Sequence, residues 1–415
     1  MQIKMPDQMP SLLMIGHMYA TAFNRRKLNP LAAFFKITCV TWDLGSGTLF
    51  GRPLAEFEQE DHEAKYKLIR LPRWPDGTSH TRYFHSSLKD VLRGQHFDLI
   101  FVDSEPWSYI RWQTWALARL IQPSSLLGEF SWENIERHGL KGAILSIVYR
   151  LAAKTHDFSI SGNQACRKIF LKYGVQPQTN LVAAQLGVEA CDFRPADTHE
   201  KIKLRSELGL PEKAFLVGYC GRLTLSKGIP ELLLATEHLR SIYPDKCIHL
   251  AMLGHGDMYE QLTIYASSKP WLSLLTPRPH REVAKFMRSL DLFVLASKPV
   301  TSGYGLWAEQ FGHVLIEAMA AGVPTLGSSS GAIPAVIGMP EAIFTHSNVD
   351  SLIATMRRWL QNDHDLEILA YHQRQRTLAL YSHESLAQIW ADFLLSRLAA
   401  SNGGFAHQTA DNLTR

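Results

Sequence analysis

Cysteine, net charge and long apolar runs are all scarce in this sequence. The five cysteines are far apart and form no C-x-x-C pair, so reduced thiols in a reducing compartment are expected. The net charge of +4 over 415 residues requires neither a nucleic acid nor an acidic surface as partner. No stretch approaches the roughly 18–20 apolar residues of a membrane-spanning helix, and "SLLMIG" near the N-terminus resembles a strand more than a signal peptide. We therefore expect a cytoplasmic protein.

Several catalytic signatures are also missing. None of the 18 histidines has H-E-x-x-H or similar ligand spacing, and neither a G-x-S-x-G elbow nor a P-loop occurs. The one D-x-D, formed by Asp363 and Asp365, lies in a helical C-terminal pattern rather than at a strand end. No metal site and no cofactor are therefore predicted.

What the sequence does contain is a repeated alternation of short apolar runs and longer helical patterns. This alternation predicts an α/β protein with parallel sheets and crossover helices. The expected strands of a first series are 11–16, 36–42, 97–103, 124–130 and 157–162. Those of a second series are 214–221, 247–254, 272–276, 291–297, 323–328 and 342–346.

Between the two series lies a charged, proline-containing stretch without apolar runs. We therefore expect an N-terminal domain over 1–190, a linker over 191–212, a C-terminal domain over 213–400 and a loose polar tail over 401–415. Ligands of open parallel sheets bind at the carboxyl ends of the strands. Two such domains facing each other would form a cleft.

The first loop of the second series combines glycines with two cations. The sequence "GYCGRLTLSKG" places Gly221, Arg222 and Lys227 in or beside the loop after the first strand. Glycine lets the backbone approach a ligand, and the two cations can converge on a diphosphate. A turn with two solvated cations is the alternative. The next strand ends in "LGHGD", where Gly254 belongs either to a ligand-facing turn or to a plain one.

The stretch "WAEQFGHVLIEAMAAGVP" places two glutamates around the start of a helix. Gly312 marks the beginning of a helix over about 313–321, with Gly322 as its C-cap. Glu309 then lies in the loop before the helix and Glu317 in its second turn. The helix N-terminus suits phosphate, whereas carboxylates beside it suit neutral hydroxyl groups. A ligand with phosphate groups in the middle and hydroxyl groups on both sides is a nucleotide-sugar, which has a ribose at one end and a hexose at the other. Complementation of the helix dipole explains one of the carboxylates equally well.

At this point the sequence resembles a known family. "GRLTLSKG" followed by "EQFGHVLIEAMAAGVPTLGSSSGAIP" is similar to the retaining glycosyltransferases of family 4, which have the GT-B fold of two Rossmann-like, doubly wound domains across a cleft. The E-x-F-G-x-x-x-x-E-A-M-A-x-G-x-P pattern is fully matched. The family's frequent glutamate after the proline of G-x-I-P is replaced here by Ala335.

The resemblance implies roles for the donor side. Arg222 and Lys227 would bind the donor diphosphate and, together with Glu309, form the catalytic set. Glu309 would hold hydroxyls of the transferred sugar, and Glu317 those of the ribose. The implied donor-binding set also includes neighbouring glycines, amides around the helix start and a residue near the base: Gly16, Gly221, Gly254, Arg278, Phe311, Gly312 and His313.

On the acceptor side the resemblance is weaker. Relatives often have a histidine at the end of a strand in the N-terminal domain, but this chain reads "LLGEFSWENIERHG" there. The acceptor-side candidates are the polar residues of that stretch together with those at two other strand ends: His17, Glu105, Trp107, Glu129, Glu133 and Asn134. For the tryptophans that follow Trp107, core packing of a helix is the favoured interpretation.

The resulting expectation is a metal-independent retaining glycosyltransferase that moves a sugar from a UDP- or GDP-sugar to a glycan, lipid or other hydroxyl acceptor, in cell-envelope or polysaccharide biosynthesis. A nucleotide-sugar epimerase, a phosphorylase of similar architecture and a non-catalytic sugar-nucleotide or glycan binder remain as alternatives. The segment 25–36, "RRKLNPLAAFFK", is either a peripheral contact to an anionic membrane or an ordinary helix.

Overall fold

The structure is a computed structural model that describes residues 9–43, 48–49, 52–53, 64–75, 81–302 and 305–412. Its described residues form two compact units. The first unit contains the residues up to Leu186 and those from His383 onward. The second unit is Gly187–Ser382.

The first unit alternates strands and helices along the chain. Its strands are β1 (Ser11–Ile15), β2 (Lys36–Trp42), β3 (Thr48–Leu49), β4 (Arg52–Pro53), β5 (Lys67–Leu71), β6 (Arg73–Trp74), β7 (Phe84–His85), β8 (Leu99–Val102), β9 (Leu126–Ser131), β10 (Phe158–Ser161) and β11 (Asn180–Val182). Its helices are α1 (Ala22–Arg25), α2 (Leu28–Leu31), α3 (Leu88–Gly94), α4 (Tyr109–Ile121), α5 (Gly139–Thr155) and α6 (Gln164–Lys172), with a C-terminal helix at His383–Asn412.

Seven of these strands form a parallel sheet in the order β11-β10-β9-β8-β1-β2-β5. The strands are apolar along their length because both faces are covered by helices. The order reverses at β1, whose neighbours are β2 and β8. The carboxyl ends of β1 and β8 therefore flank the point where doubly wound sheets bind ligands.

The second unit has the same alternation. Its strands are β12 (Phe215–Cys220), β13 (Ile248–Leu253), β14 (Leu272–Leu275), β15 (Leu292–Leu295), β16 (Val300–Ser302), β17 (Gly305–Trp307), β18 (Thr325–Ser328) and β19 (Ile343–Phe344). Its helices are α7 (Thr198–Leu208), α8 (Ile229–Ile242), α9 (Tyr259–Ser267), α10 (His280–Ser289), α11 (His313–Ala320), α12 (Ile333–Ile337), α13 (Val349–Leu360) and α14 (Asp363–Tyr381). The C-terminal helix of the first unit is then α15.

The six-stranded sheet of this unit is parallel, with the order β14-β13-β12-β15-β18-β19. Numbered within the unit, the order is that of a dinucleotide-binding sheet, and it reverses at β12. The loops after β12 and β15 thus lie at the switch point. All strands expected from the sequence are present, whereas β5, β11 and the short hairpins have too few apolar residues to be predicted.

The ends of the units differ from those expected. Residues 191–212 are part of the second unit, because α7 packs against α10 and Arg205 of α7 donates to the Ser289 carbonyl at 2.9 Å. The end of the chain returns to the first unit, where Trp390 of α15 is 2% exposed and packs on Phe101 and Phe130. Helix α15 continues through Asn412, so 401–412 are helical rather than loose, and 413–415 lie outside the described residues.

The basic segment 25–36 turns its first cations inward. Arg25 is 1% exposed and donates to the carbonyls of Tyr19 and Ala20, at 2.8 and 3.2 Å. Lys27 is 3% exposed, with its Nζ 3.5 Å from Asp103 and 4.2 Å from the Trp390 ring centre. These two charges are internal and are not displayed to a membrane. No helix in the described part of the chain has the length and apolarity needed to cross a bilayer.

Candidate functional site

Two glycine-dependent loops meet at the carboxyl edge of the second sheet. A Cβ on Gly254, after β13, would stand 1.9 Å from the carbonyl oxygen of Gly221, after β12. A Cβ on Gly256 would stand 2.5 Å from the oxygen of Leu223. The two loops therefore pack backbone against backbone. The structure gives Gly254 a packing role, and Gly221, with φ of 146°, turns the chain away from β12.

A third glycine brings the β12 loop to the end of β15. Gly228 has φ of 66°, and a Cβ there would be 2.0 Å from the Ala296 oxygen. The Lys298 amide donates to the Ser226 carbonyl at 2.8 Å. Lys227 is consequently held over the switch point rather than carried on a free turn.

Lys227 and Glu309 form an ion pair at this point. Lys227 Nζ is 2.5 Å from Glu309 Oε2, and Ser297 Oγ, just after β15, donates to the same oxygen at 2.7 Å. The Lys227 ammonium also lies 4.9 Å from the Trp307 ring centre. The side chains of the pair are only 12% and 9% exposed, respectively, so their attraction is weakly screened. Two residues of the predicted catalytic set are thus in direct contact.

Arg222 differs from Lys227 in its surroundings. Its side chain is exposed, and with the described residues it forms no ion pair. Its carbonyl accepts from the Tyr219 hydroxyl at 2.6 Å, which fixes the backbone while the guanidinium extends outward. A cation held in this way is available to an incoming anion.

Helix α11 begins where the sequence predicts. Gly312 precedes it with φ of 79°, and the chain leaves it through Gly322 with φ of 70°. The Gly322 and Val323 amides donate to carbonyls of the last turn at 3.1 and 3.0 Å, closing that end of the helix. Phe311 is 7% exposed and its ring packs edge-on against Tyr381 at 5.5 Å, so its side chain belongs to the core.

Glu317 is buried and held by two histidines. Its Oε1 lies 2.8 Å from His280 Nε2 and 3.0 Å from His313 Nδ1. Burial alone would raise the pKa of Glu317, but the charge and hydrogen bonds of the two histidines outweigh it and hold the pKa at about 2. Both contacts go to Oε1, and Oε2 has no hydrogen bond from the described residues.

Arg278, which the resemblance places near the nucleotide base, lies just before α10. His280, the first residue of α10, is the residue that contacts Glu317 of α11, so this end of α10 reaches the same edge of the unit. Arg278 is 33% exposed at its side chain, with Nη1 3.8 Å from Glu282. His313, the first residue of α11, places Nε2 3.0 Å from the Gly187 carbonyl.

At the switch point of the first unit, Asp103 lies directly after β8 and accepts hydrogen bonds from neighbouring side chains. Tyr19 donates to its carboxylate at 2.5 Å, and Gln185 also donates to it. A Cβ on Gly16 would be 3.0 Å from the Asp103 Cβ, so this glycine serves the packing of β1 against the β8 loop. The ring of His17 lies 5.6 Å from that of Trp42.

Glu105 and the end of β9 come together. The Trp132 amide donates to the Glu105 carboxylate at 3.0 Å, and Ser131 Oγ donates to its other oxygen. Burial raises the pKa of Glu105 to about 8, with Glu133 and Glu129 adding to the effect. This carboxyl group therefore contacts the last residue of β9 and the residue that follows it.

The structure assigns different roles to other acceptor-side candidates. Glu129 is 1% exposed, accepts from Arg111 Nε at 2.6 Å and lies 2.9 Å from His156, so it is an internal ion pair and not an acceptor contact. The Trp107 ring packs against Tyr149 at 6.0 Å in the cluster beneath α5.

The remaining two candidates lie in the loop after β9. Glu133 is 6% exposed and stabilises its own loop by accepting from the Ile135 amide at 3.3 Å and from Arg137. Asn134 beside it is half-buried. Within the described ranges, no group of three or more histidine, cysteine or acidic side chains is arranged to hold a metal ion.

Comparison with solved structures identifies the architecture. The chain superposes on HepE from Anabaena, solved in complex with UDP, with a TM-score of 0.70 and 16% identity over 94% of this chain and 100% of that one. Sucrose-phosphate synthase from Thermosynechococcus elongatus gives a TM-score of 0.69 and 18% identity with the same coverage. This chain has the GT-B fold. Its two parallel sheets are the two Rossmann-like domains expected from the sequence.

The second unit also matches a family model. Residues 200–376 match the model described as glycosyl transferases group 1. A D-inositol 3-phosphate glycosyltransferase from Corynebacterium kroppenstedtii is 27% identical over 159 residues, or 36% of this chain and 33% of the relative. Such alignments span a third to about half the length of these relatives. The matched range includes all the residues of the second unit that the sequence predicts on the donor side.

Three contacts of the site were missed from the sequence. Ser297 follows β15 at the switch point, and its position after a predicted strand was the one sequence signal that it could contact the site. His280 lies two residues after Arg278, which the resemblance places near the nucleotide base. Trp307 lies in the hairpin of β16 and β17, which has no apolar alternation to reveal it.

Proposed function

We propose that this chain is a retaining glycosyltransferase of family 4 that uses a nucleoside diphosphate-sugar, UDP- or GDP-linked, as donor. The observation that carries the proposal is the pairing of Lys227 with Glu309 beside the start of α11. It places a cation, a carboxylate and a helix N-terminus at the switch point of a dinucleotide-binding sheet. HepE, which shares the fold, was solved with UDP bound.

In the proposed reaction the bond between the anomeric carbon and the diphosphate oxygen breaks. A bond to the acceptor oxygen forms on the same face of the sugar, and the acceptor proton passes to the leaving phosphate oxygen. Arg222, Lys227 and the amides at the start of α11 would stabilise the charge that develops on the diphosphate. No metal ion and no protein nucleophile are required in this scheme.

The two glutamates would bind hydroxyl groups at different ends of the donor. Glu317 offers Oε2 to the ribose hydroxyls, since its Oε1 is occupied by His280 and His313. Glu309 would hold hydroxyls of the transferred sugar while keeping Lys227 oriented. The acceptor is a hydroxyl of a glycan, a lipid or a small molecule.

Binding and turnover test the proposal together. UDP and GDP are titrated by calorimetry into the wild type, Glu309→Ala and Glu317→Ala, and transfer or hydrolysis of the donor sugar is measured at saturation. Glu317→Ala should weaken binding of the free nucleoside diphosphate more than Glu309→Ala does, whereas Glu309→Ala should lower turnover at saturating donor by up to ~10²-fold. Full turnover in both variants would refute the donor assignment. A changed sugar nucleotide released without acceptor would instead indicate an epimerase.

A further inference from the structure

Three aromatic rings form a stack on the surface of the first unit. Trp74 of β6 and Phe84 of β7 are opposite each other in an antiparallel hairpin, with ring centres 6.1 Å apart. The Phe84 ring centre is 5.3 Å from that of Tyr109, the first residue of α4, and the neighbouring ring planes differ by only 23° and 20°. Trp74 and Tyr109 are 67% and 43% exposed, and Phe84 between them is half-buried. We call these three residues the aromatic ladder.

Hydrogen bonds between the hairpin and α4 fix the aromatic ladder. The Tyr109 amide donates to the Thr81 carbonyl at 2.7 Å. Gln113 of α4 accepts from the His85 amide at 2.9 Å and donates to the His85 carbonyl at 2.8 Å. The rings are therefore held in place before a ligand arrives, which lowers the entropy cost of binding.

The residues next to the aromatic ladder supply the packing of the hairpin. Tyr83 is fully buried, with its ring centre 5.0 Å from that of Trp42. The Arg73 guanidinium lies 4.2 Å from the Trp42 ring centre. Successive side chains of an extended chain point to opposite faces, so the hairpin packs through Arg73 and Tyr83 and displays Trp74 and Phe84 outward. An exposed apolar patch of this kind is typical of an interaction surface.

The aromatic ladder lies at the carboxyl edge of the first sheet. Strand β8 ends at Val102, and α4 begins at Tyr109. The Ser108 amide donates to the Glu105 carbonyl at 2.9 Å, so a short turn joins Glu105, an acceptor-side candidate, to the ladder. Ligands of doubly wound sheets bind at this edge.

We propose that the aromatic ladder is a carbohydrate-binding platform that holds uncharged sugar residues of a glycan acceptor. The ring C–H bonds of a pyranose form a flat apolar face, and this face loses its contact with water when it stacks on an aromatic ring. The hydroxyl groups at the edge of the sugar stay in water, so stacking leaves them hydrogen-bonded. The inference rests on the proposed glycosyl transfer, since it assigns the acceptor of that reaction to the glycans.

A single-stranded nucleic acid is a poorer match to the aromatic ladder. Proteins that bind such strands combine stacking rings with a positively charged groove along the backbone. The segment 72–86 contains two arginines and one aspartate, and the guanidinium of one of these arginines, Arg73, lies over Trp42. An uncharged sugar chain needs no such groove.

The experiment is calorimetric titration of the full chain with uncharged hexasaccharides. Maltohexaose, cellohexaose and N-acetylchitohexaose are the probes, because they differ in linkage and in substituents. The wild type should bind at least one of them saturably. Trp74→Ala should lower that affinity about tenfold or more, since a ring that the sugar covers is lost. Tyr109→Ala should lower it as well, whereas Trp74→Phe should keep it within about threefold because a flat ring remains.

A matched control removes an exposed aromatic ring outside the aromatic ladder. Tyr371 of α14 is 61% exposed, so Tyr371→Ala changes the same residue class in the second unit. This control should bind the hexasaccharide like the wild type. The thermal midpoints of Tyr371→Ala and Trp74→Ala should match that of the wild type, because both side chains are largely exposed.

Titration with UDP and GDP separates this inference from the donor assignment. Trp74→Ala should bind the nucleotide as the wild type does, because Lys227 and Glu309 belong to the second unit. Hexasaccharide binding by a chain that binds neither nucleotide would refute the proposed function and keep the carbohydrate platform. Nucleotide binding without binding of any of the three hexasaccharides would refute the platform and keep the donor assignment.

Two further results would overturn the proposal. One is wild-type affinity for the hexasaccharide in both Trp74→Ala and Tyr109→Ala. The other is binding of a short oligothymidylate, lost in Trp74→Ala, by a chain that binds no hexasaccharide. That result would assign the aromatic ladder to single-stranded nucleic acid.

Discussion

Lys227 and Glu309 lie 82 positions apart in the sequence, yet their charged atoms are 2.5 Å apart. The contact joins the loop after β12 to the loop before α11, the two segments assigned to the donor. The pair is nearly buried, and its orientation is fixed by Ser297. Its function and its contribution to stability can therefore be separated by substitution.

Removing one partner of the pair should destabilise the second unit. Lys227→Met removes the cation that pairs with the buried Glu309 carboxylate, and breaking a buried pair costs about 3–5 kcal/mol. Lys227→Met combined with Glu309→Gln should recover most of that loss, because no charge remains uncompensated, but it should not recover turnover. Urea unfolding and donor turnover of the wild type and of the two variants are the measurements. If the double variant is as active as the wild type, the pair is structural only.

Arg222→Ala should affect ligand binding without affecting stability. The guanidinium is exposed, so unfolding in urea should be unchanged, while the affinity for UDP or GDP should fall by roughly 1.5–3 kcal/mol for a lost charged hydrogen bond. Arg357→Ala on α13, also exposed, is the matched control for a general change in charge. Equal calorimetric affinities in Arg222→Ala and the control would remove Arg222 from the diphosphate site.

Stability should fall in mild acid partly through Glu317. Its pKa of about 2 in the folded state lies below the ordinary glutamate pKa of 4.5, so its contribution is fully present above 4.5 and is lost as pH falls toward 2. Between pH 5.5 and 3.5 this loss is about 1.4 kcal/mol. Urea unfolding at both pH values should therefore show a smaller pH dependence for Glu317→Gln than for the wild type. An unchanged pH dependence would mean that His280 and His313 do not hold the carboxylate.

Gly254→Ala should disturb the site through the backbone alone. The new Cβ would overlap the Gly221 oxygen, so the loops after β12 and β13 must separate, at a cost of more than about 1 kcal/mol. Affinity for UDP or GDP should fall together with stability, because a shift of Gly221 also moves Arg222, the next residue. Gly94→Ala is the control, since no atom lies within 4 Å of its new Cβ. Unfolding in urea with a midpoint equal to that of the control would contradict the close packing.

Much of the fold could be predicted from local pattern. Parallel strands that are covered on both faces must be apolar along their length, so β1, β2, β8 and β12 are visible as continuous runs. Helix α11 was predicted within a residue because glycine in a left-handed conformation marks both of its ends. Strand β5, "KLIRL", has lysine and arginine within it and was not recognised, because only its pairing with β2 makes it a strand.

The sequence by itself determined the α/β class, the alternation of elements and the residue types of the proposed donor site, since these follow from periodicity and from what glycine, cations and carboxylates do locally. Only the tertiary structure decided that Lys227 reaches Glu309, that Glu317 is held by His280 and His313, that Glu129 is internal, and that Arg25 and Lys27 are buried. Each of these depends on which segments the two sheets bring together and which face of a helix stays uncovered. Those are long-range relationships, and local pattern does not encode them.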